Sequence, residues 1–241
     1  MLRYLLVDLD GTLLPVDLSF FFERYLNELT PHFISITEPR LFIKGILGST
    51  QFMVENTDPE LTNEDAFWTD FPPRLGKTRD DLEPIFNRFY SEEFPKLRQY
   101  VNETDKAVRL LQTASDLGLQ IILATNPIFP EFVLKERLSW VNCEQMPVKW
   151  ITSLENMHFC KPNPLYFQEI LDRLAIPANE CLMVGNDMEE DLPASQVGIE
   201  TYLVTDFLID RKTDRFTPDH RGTMEELIAE LPAIVDASKM K

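Results

Sequence analysis

Tyr4-Leu5-Leu6-Val7-Asp8-Leu9-Asp10-Gly11-Thr12 is the stretch on which the reading of this 241-residue chain turns. Four consecutive apolar residues make a short run without alternation, the pattern of a strand buried on both faces. The two acids that follow then lie in the loop at the strand's carboxyl end. At about 4 Å and an effective dielectric of about 20, two such carboxylates repel by roughly 4 kcal/mol. An isolated acidic pair is usually an ordinary turn or cap. An acid, a spacer, an acid, glycine and threonine directly after an apolar strand form a narrower pattern, and a hard divalent cation such as Mg²⁺ would remove the repulsion.

Working outward, the carboxyl-terminal part continues in the same style. Leu119-Gln120-Ile121-Ile122-Leu123-Ala124 is a buried strand running into Thr125-Asn126, residues 148–152 form a weaker one, and Cys181-Leu182-Met183-Val184 ends at Gly185-Asn186-Asp187. Residues 201–204 are expected to be the last strand. Helical faces lie between them: Ala107, Leu110, Leu111 and Ala114 stopping at Gly118, then Leu165, Phe167, Ile170 and Leu171 behind an Asn163 cap and Pro164. Thr223 and Glu226 fit a capping box for a final helix. Strands alternating with helices imply a doubly wound, mostly parallel α/β sheet. Ligands in such sheets bind beyond the carboxyl ends of the strands, where Asp8, Asp10, Thr125 and Asp187 all fall.

Residues 16–100 read differently. Leu18 to Leu26 and Leu82 to Tyr90 carry apolar residues at helical spacing, and the segment is expected to be broken at Pro31, Pro39, Pro59, Pro72-Pro73 and Pro95. Convincing strands are lacking. The expected organisation is a core of residues 1–15 and 101–241, with an all-helical insert over residues 16–100.

Composition narrows the function. A hydrophobic fraction of 44% and an aromatic fraction of 11% are those of a globular protein. A net charge of −17 disfavours nucleic acid and anionic membranes as partners. No apolar run is long enough to span a bilayer, and the amino terminus lacks a secretory pattern, so a cytoplasmic protein is expected. Cys143, Cys160 and Cys181 are odd in number and lack a CxxC spacing, which suits buried thiols better than disulfides or zinc.

The acidic stretch resembles the first motif of the haloacid dehalogenase superfamily, most of whose members are phosphatases. Thr125 in Leu123-Ala124-Thr125-Asn126 is similar to the second motif, Lys161 in Cys160-Lys161-Pro162-Asn163-Pro164 to the third, and Val184-Gly185-Asn186-Asp187-Met188-Glu189-Glu190-Asp191 to the fourth. The resemblance runs in order over essentially the whole chain. It implies a Mg²⁺-dependent phosphatase acting on a small phosphorylated metabolite, with the insert as a cap. Asp8 would be the nucleophile and Asp10 the general acid and base, while Thr125, Asn126 and Lys161 would hold the phosphoryl group. Mg²⁺ would be held by Asp8, the backbone of Asp10, and Asp187.

The fourth motif departs from its usual form, because Asn186 stands directly after the glycine where an aspartate is common. Asp187 is expected to be the direct ligand, since a carboxylate neutralises a cation better than an amide. Asp191 would be an outer-shell partner, Asn186 the alternative ligand, and Glu189 and Glu190 solvated acids at a helix start. Asp10 separates branches of the family: dehalogenases lack an acid there and ion-pumping ATPases carry lysine. A sugar-phosphate mutase shares the same motifs, and a non-catalytic relative would be signalled by loss of Asp8 or Asp10.

Overall fold

A computed structural model describes residues 1–239. Six strands form one parallel sheet in the order β3-β2-β1-β4-β5-β6: β1 Tyr4–Val7, β2 Gln120–Leu123, β3 Val148–Ile151, β4 Cys181–Gly185, β5 Glu200–Val204 and β6 His220–Gly222. From β1 the chain builds outward on one side through β2 and β3. It then crosses back to build β4, β5 and β6 on the other, so strand order reverses around β1.

The pleat divides β1 between two apolar layers. Leu5 and Val7 join Ile121, Leu123, Leu182 and Val184 in one, under helices α5 (Lys106–Asp116) and α8 (Met224–Ser238). Tyr4 and Leu6 join Ile122 and Met183 in the other, against Tyr166, Phe167 and Ile170 of helix α7 (Pro164–Leu174). Burial on both faces is why these strands carry unbroken apolar runs. Asn163 caps α7 through Leu165 N–H, and Thr223 and Glu226 make a reciprocal capping box at α8.

Between β1 and α5 lie four helices, α1 Leu18–Leu29, α2 Pro39–Val54, α3 Asn63–Leu75 and α4 Arg79–Glu92, with 3₁₀ turns at Thr30–Phe33 and Phe94–Tyr100. Pro31, Pro39 and Pro95 stand at helix or turn starts. Pro72 and Pro73 do not break α3 as expected: they fall in its last turn, so the two i→i−4 bonds they remove are lost where the helix is about to end at Gly76. Pro84 is accommodated within α4. The two crossings between the insert and the sheet run side by side: Asn102 donates to the Pro15 carbonyl from its backbone N–H (3.4 Å) and from Nδ2 (3.1 Å).

Two elements escaped the sequence reading. Strand β6, a polar His-Arg-Gly edge, pairs with β5 beyond the expected last strand. Helix α6 (Glu131–Ser139) follows β2 and carries a fully buried arginine, Arg137, on its inner side. All three cysteines are buried free thiols, and burial raises their pKa values. Among the described residues no helix is long and apolar enough to cross a membrane.

Candidate functional site

The site is built from what the chain does immediately after β1, β2 and β4. Asp8 N–H continues the ladder onto the Val184 carbonyl (2.9 Å), and Ala124 N–H donates to the Val7 carbonyl (2.8 Å). Asp8, Thr125 and Gly185-Asn186 therefore emerge side by side at the strand-order reversal, where a crevice forms. A cavity of about 540 Å³ opens there, and its lining includes Asp8, Asp10, Thr125, Asn126, Lys161, Asn186, Asp187 and Asp191.

Lys161 Nζ is fully buried between Asp8 Oδ1 (2.8 Å) and Asp191 Oδ1 (2.6 Å). Burial alone would lower its pKa, but Asp191 and Asp8 outweigh that and hold it well above the usual lysine value. Burial pushes both Asp8 and Asp191 upward against the opposing pull of Lys161. One ammonium shared by two carboxylates leaves a negative charge unmatched. The grip on Asp191 depends on Gly185: a Cβ there would overlap Asp191 Cγ and Oδ2 and stand 2.7 Å from its Cβ. Asp191 Oδ2 also accepts from Asp187 N–H at 2.9 Å. Asp191 thus braces Lys161 at the floor of the site.

Asp10 pairs with Arg137, whose guanidinium lies over the rings of Phe21 (4.8 Å) and Phe129 (5.3 Å). Sequence reading missed Arg137 because a charged residue on an inward helix face breaks the apolar periodicity that marks core positions. Gly11 takes φ +75°, and a Cβ there would run into the Asn186 amide. That close approach lets Thr12 Oγ1 donate to Asn186 Oδ1 (3.0 Å) while lying 3.5 Å from Asp8 Oδ2. Asn186 Nδ2 is anchored on the Phe207 carbonyl at 2.6 Å, leaving its Oδ1 on the side of Thr12 and Asp8.

Asp187 is placed differently from the expectation that it faces a metal. Its Oδ1 accepts from Glu189 N–H (2.9 Å), Glu190 N–H (3.0 Å) and Arg211 Nη1 (2.6 Å). The carboxylate caps its own loop, and of the two neighbours it is the Asn186 amide that shares the Thr12 hydroxyl with Asp8. Nor is Glu190 a solvated acid at a helix start. A 3₁₀ turn follows rather than an α-helix, and Glu190 lines the cavity within 3.3 Å of Asn126 Nδ2. Burial, with Asp187 adding to it, pushes its carboxyl up to about 7. Thr125 is held by its backbone carbonyl, which accepts from Thr152 Oγ1 (2.7 Å) and Tyr166 Oη (2.9 Å).

Five carboxylates line the cavity, Asp8, Asp10, Asp187, Glu190 and Asp191, and three cations reach them, Lys161, Arg137 and Arg211. With all five ionised two negative charges are left over, which suits a divalent cation; without one, burial draws protons onto Asp8 and Glu190 instead. Among the described residues no three His, Cys, Asp or Glu side chains converge as a metal cage. The oxygens that could hold a cation are instead a mixed hard set, an Asp8 carboxylate and the Asn186 amide, both near the Thr12 hydroxyl. Mg²⁺ accepts such a set when water and a substrate phosphate complete its shell.

A family model for haloacid dehalogenase-like hydrolases matches residues 2–197. No curated protein matches the chain. Among solved structures, a 2-haloacid dehalogenase from Pseudomonas syringae pv. tomato DC3000 is 16% identical with a TM-score of 0.63, over 98% of this chain and 99% of that one. A structure described as a predicted phosphoglycolate phosphatase from Haemophilus somnus is 14% identical with a TM-score of 0.58, over 97% and 98%. A HAD phosphatase from Thermococcus onnurineus is 19% identical with a TM-score of 0.56, over 97% and 98%. At these identities the neighbours establish a shared fold, and they include both dehalogenases and phosphatases. With four fifths of its length under one family model, the chain belongs to the haloacid dehalogenase-like hydrolases.

Proposed function

We infer that this hydrolase is a Mg²⁺-dependent phosphatase of small phosphate monoesters. The observation that carries the reading is Asp10, a second acid two residues after Asp8 on the same cavity. A dehalogenase releases halide and has no leaving oxygen to protonate, whereas an ester needs a proton donor at that position.

Asp8 attacks phosphorus through a carboxylate oxygen, forming an acyl phosphate as the ester P–O bond breaks. Asp10 enters this step protonated and gives that proton to the departing oxygen, becoming the carboxylate that pairs with Arg137. It then takes a proton from the water that attacks phosphorus, and Asp8 leaves as carboxylate. Lys161 orients Asp8 and opposes charge on the phosphoryl oxygens, and Thr125 and Asn126 donate to those oxygens. Arg137 fixes the direction of the Asp10 carboxylate. Asp8, the Asp10 carbonyl and Asn186 would hold Mg²⁺, which when bound screens the anionic nucleophile from the anionic phosphoryl group.

The reading extends to residues 16–100 as a cap that closes over the leaving group, with hinges near residues 14–17 and 98–103. Aromatic contacts between insert and core support its seat beside the cavity, among them Phe94 with Trp140 (5.3 Å between centroids) and Tyr25 with Phe129 (5.4 Å). The test is phosphate release from a panel of phosphomonoesters in Mg²⁺ and in EDTA. Turnover should require the metal and vanish in Asp8→Asn, whose amide cannot accept a phosphoryl group. Isomerisation without release would indicate a mutase, and undiminished turnover by Asp8→Asn would overturn the assignment of the nucleophile.

A further inference from the structure

Beside the catalytic cavity lies a second one, of about 150 Å³, between the helical insert and the core segments at residues 128–132 and 154–155. The two share walls: Phe22, Thr50, Ile128 and Phe129 line both. Beyond them the inner cavity is faced by Phe67, Trp68, Phe86, Tyr90 and Phe132. A contiguous aromatic recess left uncovered at the edge of a site marks a place that binds something apolar. Here such a recess lies among some of the bulkiest side chains in the chain, against the site of the chemistry.

Several of the polar groups on its wall are already engaged. Tyr25 Oη and Tyr90 Oη bond each other at 2.9 Å. Glu64 and Glu83 share Arg79, at 2.6 and 2.7 Å, and Glu155 accepts from Glu131 N–H at 3.2 Å. No lysine, arginine or histidine lines the cavity among the described residues, while three glutamates do. A second phosphate or a carboxylate on the leaving group would be desolvated there beside three carboxylates, and the nearest cation, Arg79, is already held by Glu64 and Glu83. A flat apolar ring would meet ring faces and edges, which favour offset and edge-on contacts. An apolar cavity of about 150 Å³ is the size that accepts one benzene ring.

We propose that this inner cavity receives a single aromatic or similarly compact apolar ring on the leaving group, so that the substrates are monophosphates of ring-bearing alcohols rather than of acids or bisphosphates. The proposal rests on the phosphatase reading for its leaving group and on the cavity itself for its ring.

Phosphate release by the full-length protein is measured with benzyl phosphate, ethyl phosphate and 2-phosphoglycolate in Mg²⁺. Benzyl phosphate should exceed ethyl phosphate at least about tenfold in kcat/KM, the scale of filling an apolar pocket, and 2-phosphoglycolate should fall below both. Ile46 lines only the inner cavity, and Ile46→Phe, which fills it, should bring benzyl phosphate down to the ethyl level while leaving ethyl phosphate within about twofold. If that variant does not fold, Phe132→Ala decides, since Phe132 is half exposed on the rim and its loss should raise KM for benzyl phosphate alone by about threefold. Benzyl phosphate no better than ethyl phosphate, or 2-phosphoglycolate the best of the three, would overturn the ring site and leave the phosphatase intact. If no ester is cleaved, the phosphatase reading falls and ligand-observed NMR with benzyl alcohol tests the cavity. Binding lost in Ile46→Phe would uphold the ring site, and no binding to the wild type would overturn it.

Discussion

Replacing Gly185 with alanine should damage this protein far more than a one-carbon addition suggests. Gly185 ends β4, and the added Cβ would occupy the space of Asp191 Cγ and Oδ2 while standing 2.7 Å from Asp191 Cβ. Because the overlap includes Cβ, no rotation of the carboxylate relieves it, and the whole residue must retreat. Asp191 holds Lys161 Nζ through Oδ1 and Asp187 N–H through Oδ2. Overpacking a core costs about 1–3 kcal/mol. Loss of hydrogen bonds to a buried charge adds about 1.5–3 kcal/mol. Against these, exchanging glycine for alanine restricts the unfolded chain and returns about 0.4–1 kcal/mol. The balance is a destabilisation of about 3 kcal/mol, or a Tm lowered by about 6–12 °C in a chain of this size. Differential scanning calorimetry reads the shift. In an Asp191→Gly background, where the obstructing side chain is gone, the same Gly185→Ala change should cost less than about 1 kcal/mol. Equal losses in the two backgrounds, or a Tm within about 2 °C of wild type, would refute the close-approach argument.

Titrating activity with Mg²⁺ should show Asn186→Ala raising the metal requirement more than Asp187→Ala, since Asn186 Oδ1 shares the Thr12 hydroxyl with Asp8 while Asp187 caps its loop; the opposite order would return the ligand to Asp187. Arg137→Met should lower kcat more than it changes KM and destabilise the fold by about 2 kcal/mol or more, because it strands the Asp10 charge. Adding Asp10→Asn should recover much of that stability, and strict additivity would refute the pairing. Burial pushes the folded Glu190 carboxyl from an ordinary 4.5 up to about 7, so in EDTA the native state should hold an extra proton between those values. Its contribution is complete below about pH 4.5 and fades as pH rises through about 7. Melting temperatures at pH 5.5 and 7.5 should therefore differ more in wild type than in Glu190→Gln, and an unchanged difference would exclude Glu190 as a source.

How far the sequence could be read follows from which signals are local. Tyr4–Val7 and Cys181–Gly185 announced themselves because burial on both faces demands an unbroken apolar run. Asn163-Pro164 and Thr223/Glu226 announced helix starts because a cap is chemistry within four residues. Strand β6 had no such signal: as a three-residue edge it needs one neighbour and little apolar surface, so His220-Arg221-Gly222 looks like a loop. Arg137 was invisible for the opposite reason, since its place in the core depends on Asp10, 127 residues away. The preference for Asp187 over Asn186 weighed charge alone. Arg211, which holds Asp187 inside its loop, reaches it from 24 residues further along the chain.

The paired hydrogen bonds from Asn102 to the Pro15 carbonyl carry a consequence for how the chain can change length. They close a loop spanning 87 positions, and closing a flexible loop of that size costs about 4 kcal/mol in chain entropy apart from a length-independent constant. The cost grows only with the logarithm of length, so doubling the intervening chain would add about 0.6 kcal/mol. To strands β1 and β2, everything between Pro15 and Asn102 is a single knot of fixed width. Helices could be lengthened, lost or exchanged inside it with almost no entropic tension transmitted to the strand register.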